Sequence, residues 1–306
     1  GISIYPTDGE DFDDLLKDSL SAMQYAKQDG GSQYRFFASD MNAKAKNRLA
    51  LGKRMRAALA NEEFVLYYQP KVEPKTNRVK GAEALIRWNC PELGMLPPGR
   101  FIPVAEDSGL IVPLGDWVLR NACAEAARWP DHVRLAVNLS PAQFRDRGLV
   151  ATVVSALAAS GLAAQRLELE ITESVLLQDN AANMTMLHDL KALGVRISMD
   201  DFGTGYSSLS YLSRFPLDII KIDRSLVTGI EHQEDVAMIA RAAISLGKSL
   251  RKTVVAEGVE NRAQFDFLLY QGCDEFQGYL LSRPVPEAEF TRLLDTGGGS
   301  LTVASA

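Results

Sequence analysis

Glu168-Leu169-Glu170-Ile171-Thr172-Glu173, Ser198-Met199-Asp200-Asp201-Phe202-Gly203-Thr204-Gly205 and Lys221-Ile222-Asp223 decide how this chain is read. Each piece is a short apolar or alternating run that stops on a carboxylate or an ammonium. Strands that end this way bring charge to one rim, and crowded carboxylates are unfavourable unless divalent cations neutralise them. The three pieces therefore point to a metal site at strand ends.

Outward from these pieces, strand and helix patterns alternate. Strands are predicted over residues 133–139, 167–171, 195–200, 218–222, 253–257 and 274–277, with helical periodicity in the gaps. Two earlier strands, 64–69 and 79–88, are joined by Pro74-Lys75-Thr76-Asn77, too short for a crossover helix, so this first pair is antiparallel. Eight strands with helices between them predict an α/β protein, a (β/α)8 TIM-like barrel with an antiparallel first strand. A doubly wound open sheet is the structural alternative. Residues 1–40 read as a short β-α-β segment, with strands at 2–5 and 33–37 around a helix at 12–28, too small to be independently stable. Residues 41–62 read as a linker helix, 63–295 as the barrel and 296–306 as a flexible tail.

Composition narrows the function. The 306 residues are 46% hydrophobic and 24% charged, the balance of a globular protein. A net charge of -6 and a pI near 5.3 leave no basic surface for long nucleic acid. A small anionic substrate fits if metals supply local positive charge. Cys90, Cys123 and Cys273 form no C-x-x-C pair, which argues against a zinc knuckle or disulfide framework and for a reduced cytosol. No apolar run approaches the ~20 residues that span a bilayer. The expectation is a cytoplasmic domain, with any membrane anchor lying upstream of Gly1.

Period-two alternation assigns the inward-facing groups. With Val133, Leu135, Val137 and Leu139 on one face, Asn138 turns to the barrel axis, and the same logic turns Glu170 and Asp200 inward. Lys221 and Asp223 share a face, as do Glu83, Leu85 and Arg87, while Glu257 lies opposite Ala256 and Gln277 opposite Phe276. Nearly every strand delivers a polar group near its C-terminal end, where barrel enzymes keep their chemistry. Glu83, Asn138, Glu170, Asp200, Asp201 and Glu257 are hard oxygen ligands suited to Mg2+ or Mn2+. His132, His188 and His232 show no spacing for zinc or a nucleophile triad. Adjacent carboxylates such as Asp200 and Asp201 help to hold two cations about 3.5 to 4 Å apart, the arrangement used to attack phosphodiesters.

At Glu83-Ala84-Leu85-Ile86-Arg87-Trp88 the chain resembles the EAL-domain cyclic di-GMP phosphodiesterases. Tyr68-Gln69-Pro70, Asn138-Leu139-Ser140, Glu170-Ile171-Thr172-Glu173, Asp200-Asp201-Phe202-Gly203-Thr204-Gly205, Lys221-Ile222-Asp223, Glu257-Gly258-Val259-Glu260 and Gln277-Gly278-Tyr279 carry the likeness from about residue 51 to 294. The resemblance implies hydrolysis of cyclic di-GMP to linear pGpG by metal-activated water, in bacterial second-messenger signalling. It implies that Glu83, Asn138, Glu170 and Asp200 bind one metal, and that Asp200, Asp201 and Glu257 place a second. Lys221 orients or deprotonates the attacking water, with Glu257 the other base. Gln69, Leu85, Arg87, Asp223 and Gln277 line the substrate site. Glu173 anchors a loop containing Phe202, Gly203 and Gly205 that leads to a homodimer contact. Cys90 stands where histidine is common, and Leu281 where phenylalanine is; neither is a ligand. Residues 1–6, Asp8-Gly9 and 22–27 are similar to the closing segment of GGDEF diguanylate cyclase domains, without their signature loop, which implies upstream GGDEF and sensory domains. Two alternatives remain at this stage: a barrel that binds cyclic di-GMP without cleaving it, and one acting on another phosphodiester or on an enolisable carboxylate.

Overall fold

A computed structural model describes residues 1–28, 31–173, 175, 181–203, 212 and 214–295. The chain divides into two compact units, Gly1–Glu63 with Gly99–Leu110, and Phe64–Pro98 with Ile111–Ala306. In the first unit the expected helix spans Phe12–Gln28 and the linker helix spans Ser39–Ala60. The two are tied by Asn42, which donates to Asp18 at 2.6 Å and accepts from Ser21 at 2.8 Å. The two flanking strands expected at 2–5 and 33–37 shrink to one parallel bridge between Ile2 and Phe36. Two short strands with no further neighbour lack the cross-strand partners that extend a sheet.

The second unit is built on β1 (Phe64–Glu73), β2 (Arg78–Cys90), β3 (Gly94–Leu96), β4 (Arg134–Leu139), β5 (Leu167–Thr172), β6 (Arg196–Phe202), β7 (Ile219–Ile222), β8 (Thr253–Ala256), β9 (Glu275–Phe276) and β10 (Val285–Pro286). From β2 through β4 to β9, each neighbouring pair is parallel. β1 closes the ring, running antiparallel to β2 and, at Val72 opposite Phe276, to β9. The (β/α)8 barrel with a reversed first strand is therefore the fold. β3 and β10 merely extend β2 and β1. Helices fill the gaps between the parallel strands as the periodicity predicts, except between β6 and β7, where residues 204–211 and 213 lie outside the described residues. Among the described residues no helix is long and apolar enough to cross a membrane.

Alternation along the strands explains the layering. Leu135, Val137 and Leu139 of β4, Leu167, Leu169 and Ile171 of β5 and Ile220 and Ile222 of β7 point outward and are buried under the helices. Helix Glu234–Ser249 approaches so closely that a Cβ on Gly247 would stand 2.5 Å from a Val254 methyl. The other face of each strand lines the axis, and there the barrel is polar: Lys71, Glu168, Glu170, Ser198 and Lys221 are all buried.

The chain's two ends of the barrel meet in an aromatic cluster outside the ring. Tyr68 of β1 packs edge-on against Trp129 at 5.2 Å between ring centres, and Phe290 of the last helix, Glu287–Asp295, packs on Trp129 at 4.8 Å and Tyr68 at 5.7 Å. Phe290 is fully buried. Phe290→Ala is expected to lower the unfolding free energy by about 3–5 kcal/mol in urea denaturation; a loss under about 1 kcal/mol would mean that the last helix does not clasp the barrel.

Candidate functional site

The strand ends place their polar groups at one mouth, and Lys221 stands at its centre. Its ammonium, buried on β7, donates to Glu170 Oε2 at 2.7 Å and lies 3.1 Å from Asp200 Oδ1 and 3.7 Å from Glu83 Oε2, with Glu257 in direct ion-pair contact. Glu83 comes from β2, Glu170 from β5 and Asp200 from β6, while Glu257 sits one residue past β8. Asn138 of β4 donates to Glu83 Oε1 at 2.6 Å. Gln277, one residue past β9, donates to Glu83 Oε2 at 2.6 Å and to Gln69 Oε1 at 3.0 Å, and Gln69 donates to the Ser282 carbonyl at 3.1 Å.

Asp201 reaches the same mouth by a device that alternation cannot foresee. Against β7, Met199 pairs with Ile220 but Phe202 with Ile222, so β6 carries one extra residue at this point. Such a bulge re-aims a side chain. Asp201 takes φ 58°, a left-handed conformation that aspartate tolerates better than most residues. Its carboxyl is raised above its ordinary range by burial and by Asp200 and Asp223.

The remaining expected residues fall around this core. Gln69, Glu83, Leu85, Glu257 and Gln277 line one cleft of about 190 Å3. Arg87 does not line it; its guanidinium donates to the Ile86 carbonyl at 2.9 Å and lies 5.5 Å from the Tyr67 ring centre. Asp223 caps helix Arg224–Thr228 by accepting from Ser225 N at 2.8 Å, and opens onto a neighbouring cleft of about 570 Å3. Glu173 is buried, and among the described residues neither of its carboxylate oxygens has a hydrogen-bond partner. Phe202 is buried, and Gly203 adopts φ 102° where a Cβ would strike Leu226 at 2.3 Å. Gly205 lies outside the described residues. A wider cleft, about 840 Å3, lies against β1 and helix Ile111–Ala126 and contains none of the mouth carboxylates.

Five residues at or below the mouth carry no role in the sequence reading. Arg224, Glu260 and Tyr279 line the small cleft. Glu260 and Tyr279 sit inside the motifs that carry the resemblance, whereas Arg224 follows one. Lys71 and Glu168 lie on the axis below Glu170. Spacing alone could have found both, because each is two residues from an inward-facing side chain, Gln69 or Glu170.

The electrostatics of the mouth are those of a site short of positive charge. Burial lifts the Glu257 carboxyl well above the usual carboxylate range although Lys221 lies against it, and burial raises Glu83 against the same ammonium. Glu170 behaves oppositely: burial would raise it, but Lys221 and Lys71 together hold it at about 2. Burial would also drive the proton off Lys221, yet Asp200, Glu170, Glu257 and Glu83 outweigh burial and keep it an ammonium. One ammonium cannot hold four carboxyls ionised, and the remainder attract protons or added cations. The donors are hard oxygens, which fits Mg2+ or Mn2+. Among the described residues no three acidic, His or Cys side chains are already gathered around a vacant point, because Lys221 stands between them.

Known proteins share this arrangement of elements. Residues 53–284 match the model of the EAL domain. The chain is 46% identical over 290 residues to the bifunctional diguanylate cyclase/cyclic di-GMP phosphodiesterase MucR of Pseudomonas aeruginosa, covering 94% of this chain and 42% of MucR. It is 37% identical over 295 residues to the cyclic di-GMP phosphodiesterase PdeR of Escherichia coli, covering 95% of this chain and 44% of PdeR. A solved PaMucR phosphodiesterase in complex with c-di-GMP superposes with a TM-score of 0.76 at 45% identity, over 79% of this chain and 99% of that one. The chain spans less than half the length of these two curated relatives. Because the match over residues 53–284 takes in well over half of the 306 residues, the chain belongs to the EAL domain family.

Proposed function

We propose that this chain is a divalent-metal-dependent phosphodiesterase that opens cyclic di-GMP to linear pGpG. The observation that carries the reading is the convergence of Glu83, Glu170, Asp200 and Glu257 on Lys221 beside Asn138, with more carboxyls than ammoniums. The relatives named for this activity support it. Glu83, Asn138, Glu170 and Asp200 are the ligands for one cation, and Asp200, Asp201 and Glu257 for a second, with Mg2+ or Mn2+ the metals. When bound, such cations neutralise a phosphodiester, acidify the attacking water and stabilise the leaving ribose oxygen.

The chain's own groups supply the rest. Gln69, Leu85 and Gln277 form the wall against which the dinucleotide lies, and Arg87 and Asp223 flank it. Lys221 and Glu257 form one ion pair, and that pair accepts the proton that leaves the water as its oxygen adds to phosphorus. The bond from phosphorus to one ribose oxygen breaks, that oxygen takes up the proton that the pair accepted from the water, and the ring opens to pGpG. Incubation of the purified chain with cyclic di-GMP and Mg2+ or Mn2+ is expected to yield pGpG by chromatography; tight binding without product would replace the reading with that of a receptor.

The setting is proposed with it. The first unit exposes Ile4, Phe12, Leu16, Leu20 and Phe36, with Phe12, Leu16 and Leu20 repeating every fourth residue along one helix face. An apolar row of this kind supports reading residues 1–40 as the closing part of a GGDEF domain within a longer signalling protein. Three buried free cysteines, Cys90, Cys123 and Cys273, support a cytoplasmic location. Homodimerisation through the barrel, coupled to the mouth by Glu173, Phe202, Gly203 and Gly205, completes the reading.

Lys221→Ala and Glu83→Ala are each expected to lower kcat by at least about 100-fold while circular dichroism stays unchanged; a wild-type rate in either removes that residue from the mechanism. A pH dependence follows from the shifted carboxyls. Glu83 and Glu257, raised by burial, stabilise the metal-free protein below the ordinary glutamate value of 4.5, and that contribution is lost as pH rises through their raised values. Glu170, held at about 2, contributes above 4.5 and loses its contribution as pH falls towards 2. Because raised carboxyls must ionise to bind a cation, Mn2+ uptake at neutral pH is expected to release protons and to strengthen with pH. Calorimetry in two buffers of different ionisation enthalpy checks this; equal apparent enthalpies would refute proton release.

A further inference from the structure

Below the mouth, Lys71 occupies the barrel axis, where the proposed chemistry gives it nothing to do. It enters from β1, two residues past Gln69 and on the same face. Its ammonium donates to Glu168 Oε1 at 2.7 Å and to Glu170 Oε1 at 2.6 Å, and all three side chains are at most 2% exposed. Glu168 and Glu170 are neighbours on the inward face of β5, so a single ammonium bridges two levels of the barrel. Glu170 is gripped from below at Oε1 and presents Oε2 to the mouth, where Lys221 donates to it at 2.7 Å.

Stability does not account for this arrangement. Burying an ammonium and its carboxylates costs solvation that an apolar filling of equal volume would not, and such replacements are often neutral or stabilising. Lys71 by itself would fix Glu170 but would also subtract one charge from a site that must hold cations. Glu168 cancels that charge while leaving the grip intact. A ligand that is held rigidly by a partner binds metal better than one that is free to turn.

We propose that Lys71 and Glu168 form a charge-neutral positioning pair that fixes Glu170 for divalent-cation binding without diminishing the negative charge of the mouth. The inference rests on the metal-dependent reading above. Lys71 is a positioning residue: it acts through Glu170 and touches neither the cleft nor its occupant.

The test uses the full chain, Mn2+ alone as the calorimetric probe, and two variants. Lys71→Met alone would leave two buried carboxylates without their counter-ion, so it is replaced by the charge-balanced double variant Lys71→Met/Glu168→Gln. Glu168→Gln keeps the shape and the hydrogen bond to Lys71 but leaves its charge uncancelled, and is expected to weaken Mn2+ binding about tenfold. The double variant is charge-balanced but leaves Glu170 without its grip, so Mn2+ affinity is expected to stay about tenfold below that of the unmodified protein and kcat on cyclic di-GMP to fall with it. Wild-type Mn2+ affinity in Glu168→Gln would overturn the charge-cancelling role, wild-type affinity in the double variant would overturn the positioning of Glu170, and a change confined to melting temperature would show that the pair is only structural. Absence of Mn2+ binding by the unmodified protein would instead remove the metal-dependent reading on which the pair depends.

Discussion

One ammonium among four carboxyls is the constraint that orders this molecule. Lys221 is buried on a strand, and burial alone would neutralise it. It stays charged because Glu83, Glu170, Asp200 and Glu257 approach it from four other strand ends. Those four positions are spread over 175 residues of chain, from 83 to 257, so the ammonium is held only if the whole ring is formed. The polar mouth and the closed sheet thus require each other: the sheet supplies convergence, and the outward apolar faces supply the free energy that makes crowding like charges tolerable.

The sheet was legible because its parallel strands separate their faces cleanly. Val137 and Leu139 around Asn138, and Leu169 and Ile171 around Glu170, tell helix side from axis side without any coordinates. The reversed first strand was also legible, since four residues between 69 and 79 with turn character cannot hold a crossover. Boundaries were less so: β9 has two residues in regular pairing, and Glu257 and Gln277 act from just beyond their strands. Asp201 marks a different limit. A one-residue bulge changes which way a side chain points, and nothing in composition or period announces it. Arg87 and Asp223 share faces with Glu83 and Lys221 as expected, but a long side chain that finds Tyr67, and a cap that binds its own helix, lie at the margin of the cleft rather than in its wall.

Lys71 and Glu168 lie one level below the strand ends where substrates reach, so the pattern of strand-end charges does not single them out. Between Glu168 at the bottom and Glu83 at the top, the axis is a column of alternating charge. The usual filling of such a barrel is branched apolar side chains in layers. Here the strands keep those residues for their outer faces, and Ser198 and Lys71 take the places where valine or leucine would otherwise stand.

The antiparallel first strand also governs when the molecule can become whole. β1 meets β2 within a few residues of chain, but its other edge waits for Phe276, more than two hundred positions later. A ribosome releasing the chain from its N-terminus therefore exposes a hairpin with Lys71 and Glu83 on one face, and the lysine meets Glu168 and Glu170 only when β5 emerges. Contacts of such long sequence separation make closure a late and comparatively slow event. The acidic mouth, completed by residues on both sides of that seam, comes into being only at the last step of assembly.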